Sequence, residues 1–228
     1  MSEIVDQVRR MVGAVEIPVV ADADTGYGNA LNVLRTVQLY EQAGVAGIQL
    51  EDQVMPKKCG HMRGKALIGA DEMVGKIRAA VEARRDPDLV VIARTDAVAV
   101  AGLEEAIGRA KAFADAGADL LFVEAPTSEE DIARVAGELR DVAPLVFNWA
   151  EGGRTPPLPY ARIAELGFSL VIYPIGTLLA ATAGIRSLLA TLKADGVPSL
   201  DGLPTFGEFT DLIGLPEVQE LEQRFAGS

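Results

Sequence analysis

One cysteine, one histidine and few aromatic residues set the first limits on this chain of 228 residues. A lone Cys59 excludes an intrachain disulfide and makes a reducing cytoplasm the expected compartment. With no second cysteine and no histidine pair, the chain lacks the ligands of a structural zinc site. No run of Lys and Arg exceeds two residues and the net charge is −12, so neither nucleic acid nor an anionic membrane is expected as a main partner. The N-terminal MSEIVDQVRRMVG carries acids and has no apolar core of the kind a secretory signal needs. The longest uncharged stretch, Ser169 to Ile185, is broken by Pro174 and Gly176 and does not read as a membrane span.

What remains is strongly apolar. Hydrophobic residues make up 49% of the chain but aromatics only 5%, so Ala, Val, Leu and Ile must carry the core, as in α/β proteins with buried parallel strands. Helical spacing is predicted over Ser2 to Val12, Leu31 to Ala43, Asp71 to Ala83, Leu103 to Ala116, Ser128 to Leu139, Pro159 to Leu166 and Leu178 to Ala194. Asn29 and Ser128 stand where N-caps belong, and Gly44 where a helix stops. Short apolar runs between them predict six strands: Ile17 to Asp22, Ala46 to Glu51, Leu89 to Arg94, Asp119 to Glu124, Leu145 to Asn148 and Ser169 to Tyr173.

The units repeat. Ala43-Gly44 followed by VAGIQLE matches Ala116-Gly117 followed by ADLLFVE, and Leu166-Gly167 before Ser169 is a third copy in outline. Strict strand–helix alternation implies a parallel sheet with right-handed crossovers. Polar residues close every strand: Asp22/Asp24, Glu51/Asp52, Arg94/Asp96, Glu124, Asn148 and Tyr173. An open doubly wound sheet would gather such residues at one switch point, whereas a (β/α)8 TIM-barrel type places them around one mouth. The expected fold class is therefore α/β of that barrel type, with only six units evident. A barrel is expected over residues 1–195, and a helical tail over 196–228 packing on the barrel or on a neighbouring subunit.

Asp22, Asp24, Glu51 and Glu124 are hard oxygen donors of the kind that hold Mg2+ or Mn2+ with water kept in the shell. Alternation on an extended segment would aim Asp22 and Asp24 at one spot, although Asp-Thr-Gly-Tyr-Gly taken alone is equally good turn chemistry. Arg94 on the same rim suits a substrate carboxylate or phosphate. The polar loop Asp52 to Gly69 carries Lys57-Lys58-Cys59-Gly60-His61. Two lysines and a histidine there would favour thiolate character at Cys59, and a thiol next to a histidine can act as an acid or a nucleophile. The plainer alternative makes Cys59 a small buried hydrophobe and His61 a loop residue. Thr25-Gly26-Tyr27-Gly28 matches no phosphate-binding fingerprint and reads as a tight turn.

ADADTGYGNALNV, GIQLEDQ, PKKCGHMRGK, IARTDA, FVEAP and VIYP, in that order, resemble the isocitrate lyase/phosphoenolpyruvate mutase superfamily over about Ile17 to Ala194. The resemblance implies a (β/α)8 barrel, usually a tetramer whose last helix often swaps between subunits, with Mg2+ near the paired aspartates and enolate-like intermediates. It places Asp22, Asp24 and Glu51 at the metal, and Cys59 with Lys58 and His61 in a mobile catalytic loop. Cys59, Gly60, Arg94, Glu124 and Asn148 fall on substrate-contacting positions. The KKCGH string resembles that of the lyases and differs from that of the phosphonate-forming mutases.

Two departures accompany the resemblance. Family barrels begin with two further β/α units, which supply a Ser/Gly loop and another acid, whereas Met1 here falls just before the expected third strand. Either the chain is shortened or a partner completes the sheet. Methylisocitrate-type lyases also place an arginine where this chain has Leu179, which favours a smaller dicarboxylate over a tricarboxylate. The expected activity is a Mg2+-dependent carbon–carbon lyase on a 2-hydroxy di- or tricarboxylate such as 2-methylisocitrate or 2,3-dimethylmalate. Oxaloacetate decarboxylation, phosphonate transfer and an inactive truncated member are the alternatives.

Overall fold

The computed structural model describes residues 1–226. In chain order the elements are α1 (Ser2–Ala14), β1 (Val20–Asp22), α2 (Ala30–Gln42), β2 (Gly47–Glu51), α3 (Ala70–Ala83), β3 (Val90–Thr95), α4 (Val98–Ala101) and α5 (Leu103–Asp115). They continue as β4 (Leu120–Val123), α6 (Glu129–Leu139), β5 (Val146–Asn148), α7 (Tyr160–Leu166), β6 (Leu170–Ile172), α8 (Gly176–Asp195), α9 (Phe206–Leu212) and α10 (Leu215–Phe225). The six expected strands are all present. Strands β1 to β4 form one parallel sheet in sequence order, and β5 pairs with β6, also in parallel. A parallel bridge from Leu121 to Leu145 joins the two sheets into one arc. Among the described residues no strand pairing links β6 back to β1.

Local signals explain most boundaries. The Asn29 side chain accepts from the backbone N–H groups of Leu31 and Asn32, and Asn32 accepts in return from the Asn29 N–H, which completes a capping box. Ser128 caps α6 by accepting from the Asp131 N–H at 3.0 Å. Gly44, Gly117 and Gly167, which end the three repeats, all have left-handed φ, so each turn from helix to strand uses a conformation that costs glycine little. Strand β1 is shorter than expected: Pro18 has no N–H, Ile17 is exposed, and only β2 pairs with it. Helix α3 begins one residue before the expected Asp71, with Gly69 as N-cap. The four-residue α4 was not expected.

Alternation along the strands sorts two faces. Ile48, Leu50, Val91, Ala93, Leu121 and Val123 point outward into the main core under the helices. Ile92, Phe122 and Val146 point inward and pack with Val90, Leu120, Leu170 and Ile172. The next inward positions, at the C-terminal strand ends, are Glu51, Arg94, Glu124 and Asn148. The apolar inner layer therefore leads directly up to the charged residues.

The chain divides into two compact units, Met1–Gly176 and a second beginning at Thr177. The expected boundary at residue 195 is the far end of α8. In the second unit, α9 opens on a Thr205/Glu208 capping box, and no residue of α8, α9 or α10 is buried. No helix among the described residues is long and apolar enough to cross a membrane.

Candidate active site

A cavity of about 720 Å³ opens at the C-terminal ends of the strands. Its lining includes Asp22, Arg94, Glu124 and Asn148 from the sheet, and Lys57 to His61 from the loop between β2 and α3. The expected acid cluster, arginine and cysteine loop thus meet at one mouth.

Asp22, Asp24 and Glu51 converge on a single cation. The Lys57 ammonium lies 3.2 Å from Asp22, 2.8 Å from Asp24 and 3.4 Å from Glu51. Strand alternation is not what aims Asp24 there, because β1 ends at Asp22 and Asp24 has φ +52°. A turn does it: the Asp24 N–H donates to the Asp22 carboxylate at 2.8 Å. Burial drives the Glu51 pKa up to about 7, against the lowering pull of Arg94 and Lys57. Its Oε1 is buried and has no hydrogen-bond partner. Three oxygen-bearing groups around one positive charge, with an orphaned carboxylate oxygen beside them, fit a hard cation. Among the described residues no three Asp, Glu, His or Cys side chains are grouped closely enough to ligate one unaided, so water would have to complete the shell.

The second cluster is a clamp. Arg94 Nε lies 3.5 Å from Glu51, and Arg94 Nη1 lies 3.9 Å from Glu124. Asp96 holds the guanidinium from behind, accepting from Nε at 2.9 Å and from Nη2 at 3.2 Å. Burial works against the Arg94 charge, but Glu124, Asp96 and Glu51 outweigh it and hold the group protonated. Asn148 Nδ2 donates to both oxygens of Glu124 at 3.2 Å, which leaves its buried Oδ1 without a partner. Burial alone would raise the Glu124 pKa; contact with His61 and the Arg94 charge reverse the sign.

The loop closes over this clamp. Gly60 lies so near that a Cβ there would collide with Glu124 and Arg94. His61 Nδ1 accepts from the Arg154 backbone N–H at 3.0 Å, which assigns the ring proton to Nε2. Nε2 stands 3.1 Å from Glu124, close in distance but without the alignment of a hydrogen bond. Cys59 is exposed. The groups expected to act on its thiol have other partners: Lys57 has the acids, Lys58 donates to the Gly64 carbonyl at 2.8 Å, and His61 faces Glu124.

Sequence reasoning gave Lys65 no part and Asp52 and Asp96 only a place at the strand ends, yet all three side chains are buried. Asp52 accepts from Thr95 Oγ1 at 2.7 Å, from the Asp96 N–H at 2.9 Å and from Arg109 at 3.1 Å, tying β2, β3 and α5 together. Burial raises its pKa against these donors. The available signal was Asp52 and Asp96 each following a strand-end charge.

Comparison with known proteins finds relatives along most of the chain. The sequence profile of phosphoenolpyruvate phosphomutase matches residues 1–193. The 2,3-dimethylmalate lyase of Eubacterium barkeri is 47% identical over 228 residues, covering 99% of this chain and 78% of that protein. The 2-methylisocitrate lyase of Aeropyrum pernix is 45% identical over 222 residues, covering 96% and 71%. Among solved structures, a 2,3-dimethylmalate lyase superposes with a TM-score of 0.90 at 40% identity, covering 99% and 76%. Oxaloacetate acetylhydrolase with 3,3-difluorooxalacetate also reaches 0.90, at 37% identity, covering 100% and 77%. A phosphonopyruvate hydrolase complex with oxalate and Mg2+ reaches 0.86 at 34% identity, covering 100% and 79%. The α/β fold with parallel strands is therefore that of the TIM-barrel-like isocitrate lyase/PEP mutase structures. Fold, ordered motifs and overall identity together establish that this chain belongs to the phosphoenolpyruvate mutase family.

Proposed function

We propose that the chain is a Mg2+-dependent carbon–carbon lyase that cleaves a 2-hydroxy dicarboxylate of the 2,3-dimethylmalate kind into a 2-oxo acid and a second carboxylate. One observation carries the reading: an acid cluster built for a cation adjoins a buried arginine clamp, and a thiol-bearing loop covers both. When bound, the metal ion supplies Lewis-acid stabilisation for the oxygens of the 2-oxy-carboxylate end. Asp22, Asp24 and Glu51 would hold it in the place where the Lys57 ammonium now lies. Arg94 takes the far carboxylate, with Glu124 and Asn148 fixing its direction. The unpaired Asn148 Oδ1 accepts from a substrate hydroxyl. Cys59 protonates the enolate left by bond cleavage while Gly60 and His61 keep water out; Lys58 shapes the loop by bonding to Gly64.

The likeness to the 2,3-dimethylmalate lyase of Eubacterium barkeri favours the dicarboxylate over 2-methylisocitrate. The oxaloacetate acetylhydrolase likeness supports a second reading, in which a 2-oxo dicarboxylate is the substrate. The test follows 2-oxo acid release from 2,3-dimethylmalate and 2-methylisocitrate, and consumption of oxaloacetate, with Mg2+ and with EDTA. Cleavage of the first, abolished by EDTA, is expected; turnover of oxaloacetate alone would replace this reading with the second. We further infer a cytoplasmic homo-oligomer, of four subunits as the resemblance implies. Exposed Phe206, Leu212 and Phe225 support the association.

A further inference from the structure

The loop between β2 and α3 has a stem and a tip. An antiparallel bridge between Gln53 and Leu67, with the Val54 N–H donating to Ala66 O at 2.8 Å, closes the stem. The tip, residues 57–64, carries Cys59 over the cavity. Most of its contacts face the site, but Lys65 does not. It lies beneath the tip with a side chain 1% exposed, donating to the Gly60 carbonyl and, at 2.8 Å, to Asp96 Oδ1. Neither Lys65 nor Asp96 lines the cavity.

Asp96 is the carboxylate that also grips Arg94 through both oxygens. One buried acid is therefore shared between the lysine under the tip and the arginine of the clamp. Removing both ions from water is costly, and an apolar pair of equal volume would often stabilise the fold as well. Stability alone gives no reason for such a pair here. Its geometry gives one: the Gly60 backbone rests flush on Arg94 and Glu124, and Lys65 fixes the carbonyl of that same residue.

We propose that Lys65 is a positioning residue that pins the loop tip shut and, through Asp96, ties closure to the orientation of the Arg94 guanidinium. Lifting the tip takes the Gly60 carbonyl from Lys65 and uncovers the clamp. In the closed state the same ammonium neutralises the Asp96 oxygen that Arg94 shares. The pin itself needs no assumption about turnover; only its kinetic consequence rests on the lyase reading.

The test compares the wild-type chain with Lys65→Met, and with Lys111→Met as a surface control, by amide hydrogen exchange and by kinetics on 2,3-dimethylmalate. In Lys65→Met, exchange of the amides of residues 57–64 should rise about tenfold or more while α2 and α5 exchange as in wild type. Its kcat should fall about tenfold with KM changed far less, because closure and proton delivery suffer before binding does. Unchanged tip exchange with both kinetic constants at the wild-type level would overturn the pin and leave the lyase reading standing. Faster tip exchange in a pair of chains that both fail to cleave the substrate would do the reverse. Should Lys65→Met not fold, acylation of amines on the wild-type chain decides. Lys65 must react in step with tip opening, and a Lys65 that stays unreactive while the tip amides exchange freely overturns the proposal.

Discussion

The mouth of the sheet and the C-terminal helices are stabilised in opposite ways. At the mouth, Glu51, Asp52, Asp96 and Glu124 are buried, yet each meets a cation or an N–H group supplied by a neighbouring strand or loop. In α8 to α10 no described residue is buried, and apolar side chains such as Leu212, at 84% exposure, face outward. The mouth supplies its own partners, so a single substitution there strands a charge. The helices carry exposed apolar surface, so substitution there should act on association more than on folding.

The sharpest way to break this comparison is Arg94→Met. It leaves Glu51, Asp96 and Glu124 buried around an empty position, and should cost about 3–5 kcal/mol in urea unfolding and abolish turnover. A well-folded, active variant would mean that the mouth is not self-balancing. Cys59→Ala separates chemistry from stability within the same region. Because Cys59 is exposed, its melting temperature should match wild type while kcat falls about 10²–10³-fold.

Glu51→Gln sharpens the electrostatics. The folded pKa of about 7 lies above the ordinary 4.5, so the buried carboxyl is favourable when protonated. That contribution is complete below about pH 4.5 and lost as pH rises through 7. Without metal, wild-type stability should therefore fall relative to Glu51→Gln between pH 5 and 8, by on the order of 3 kcal/mol. Equal pH slopes in urea denaturation would contradict the burial effect. The smallest effect on folding is expected for Phe209→Glu in α9: within about 0.5 kcal/mol of wild type, but with a smaller sedimenting species. A large loss of folding stability there would erase the contrast between the two regions.

The sequence disclosed the fold through periodicity, and the acids through their place at strand ends, because both signals are local. Asn29 and Ser128 act at the helix starts where their spacing put them. What stayed hidden was non-local. Lys65 reads as one more charge in a polar loop, and only the approach of β3 shows that it is buried against Asp96. Asp24 reaches its target through a left-handed turn that strand alternation does not anticipate. The groups beside Cys59 in sequence turn elsewhere in space: Lys57 to the acid cluster, Lys58 to the Gly64 carbonyl and His61 towards Glu124.

The bridge from Gln53 to Leu67 has an implication for diversification. Below it, backbone positions are fixed by the sheet and by the start of α3; above it, nothing in the strand register depends on which residues follow. Tips of different length and chemistry can be exchanged on the same hinge without disturbing the barrel walls. New reactions can then arise by re-equipping the cover while the acid-bearing floor beneath it is inherited intact.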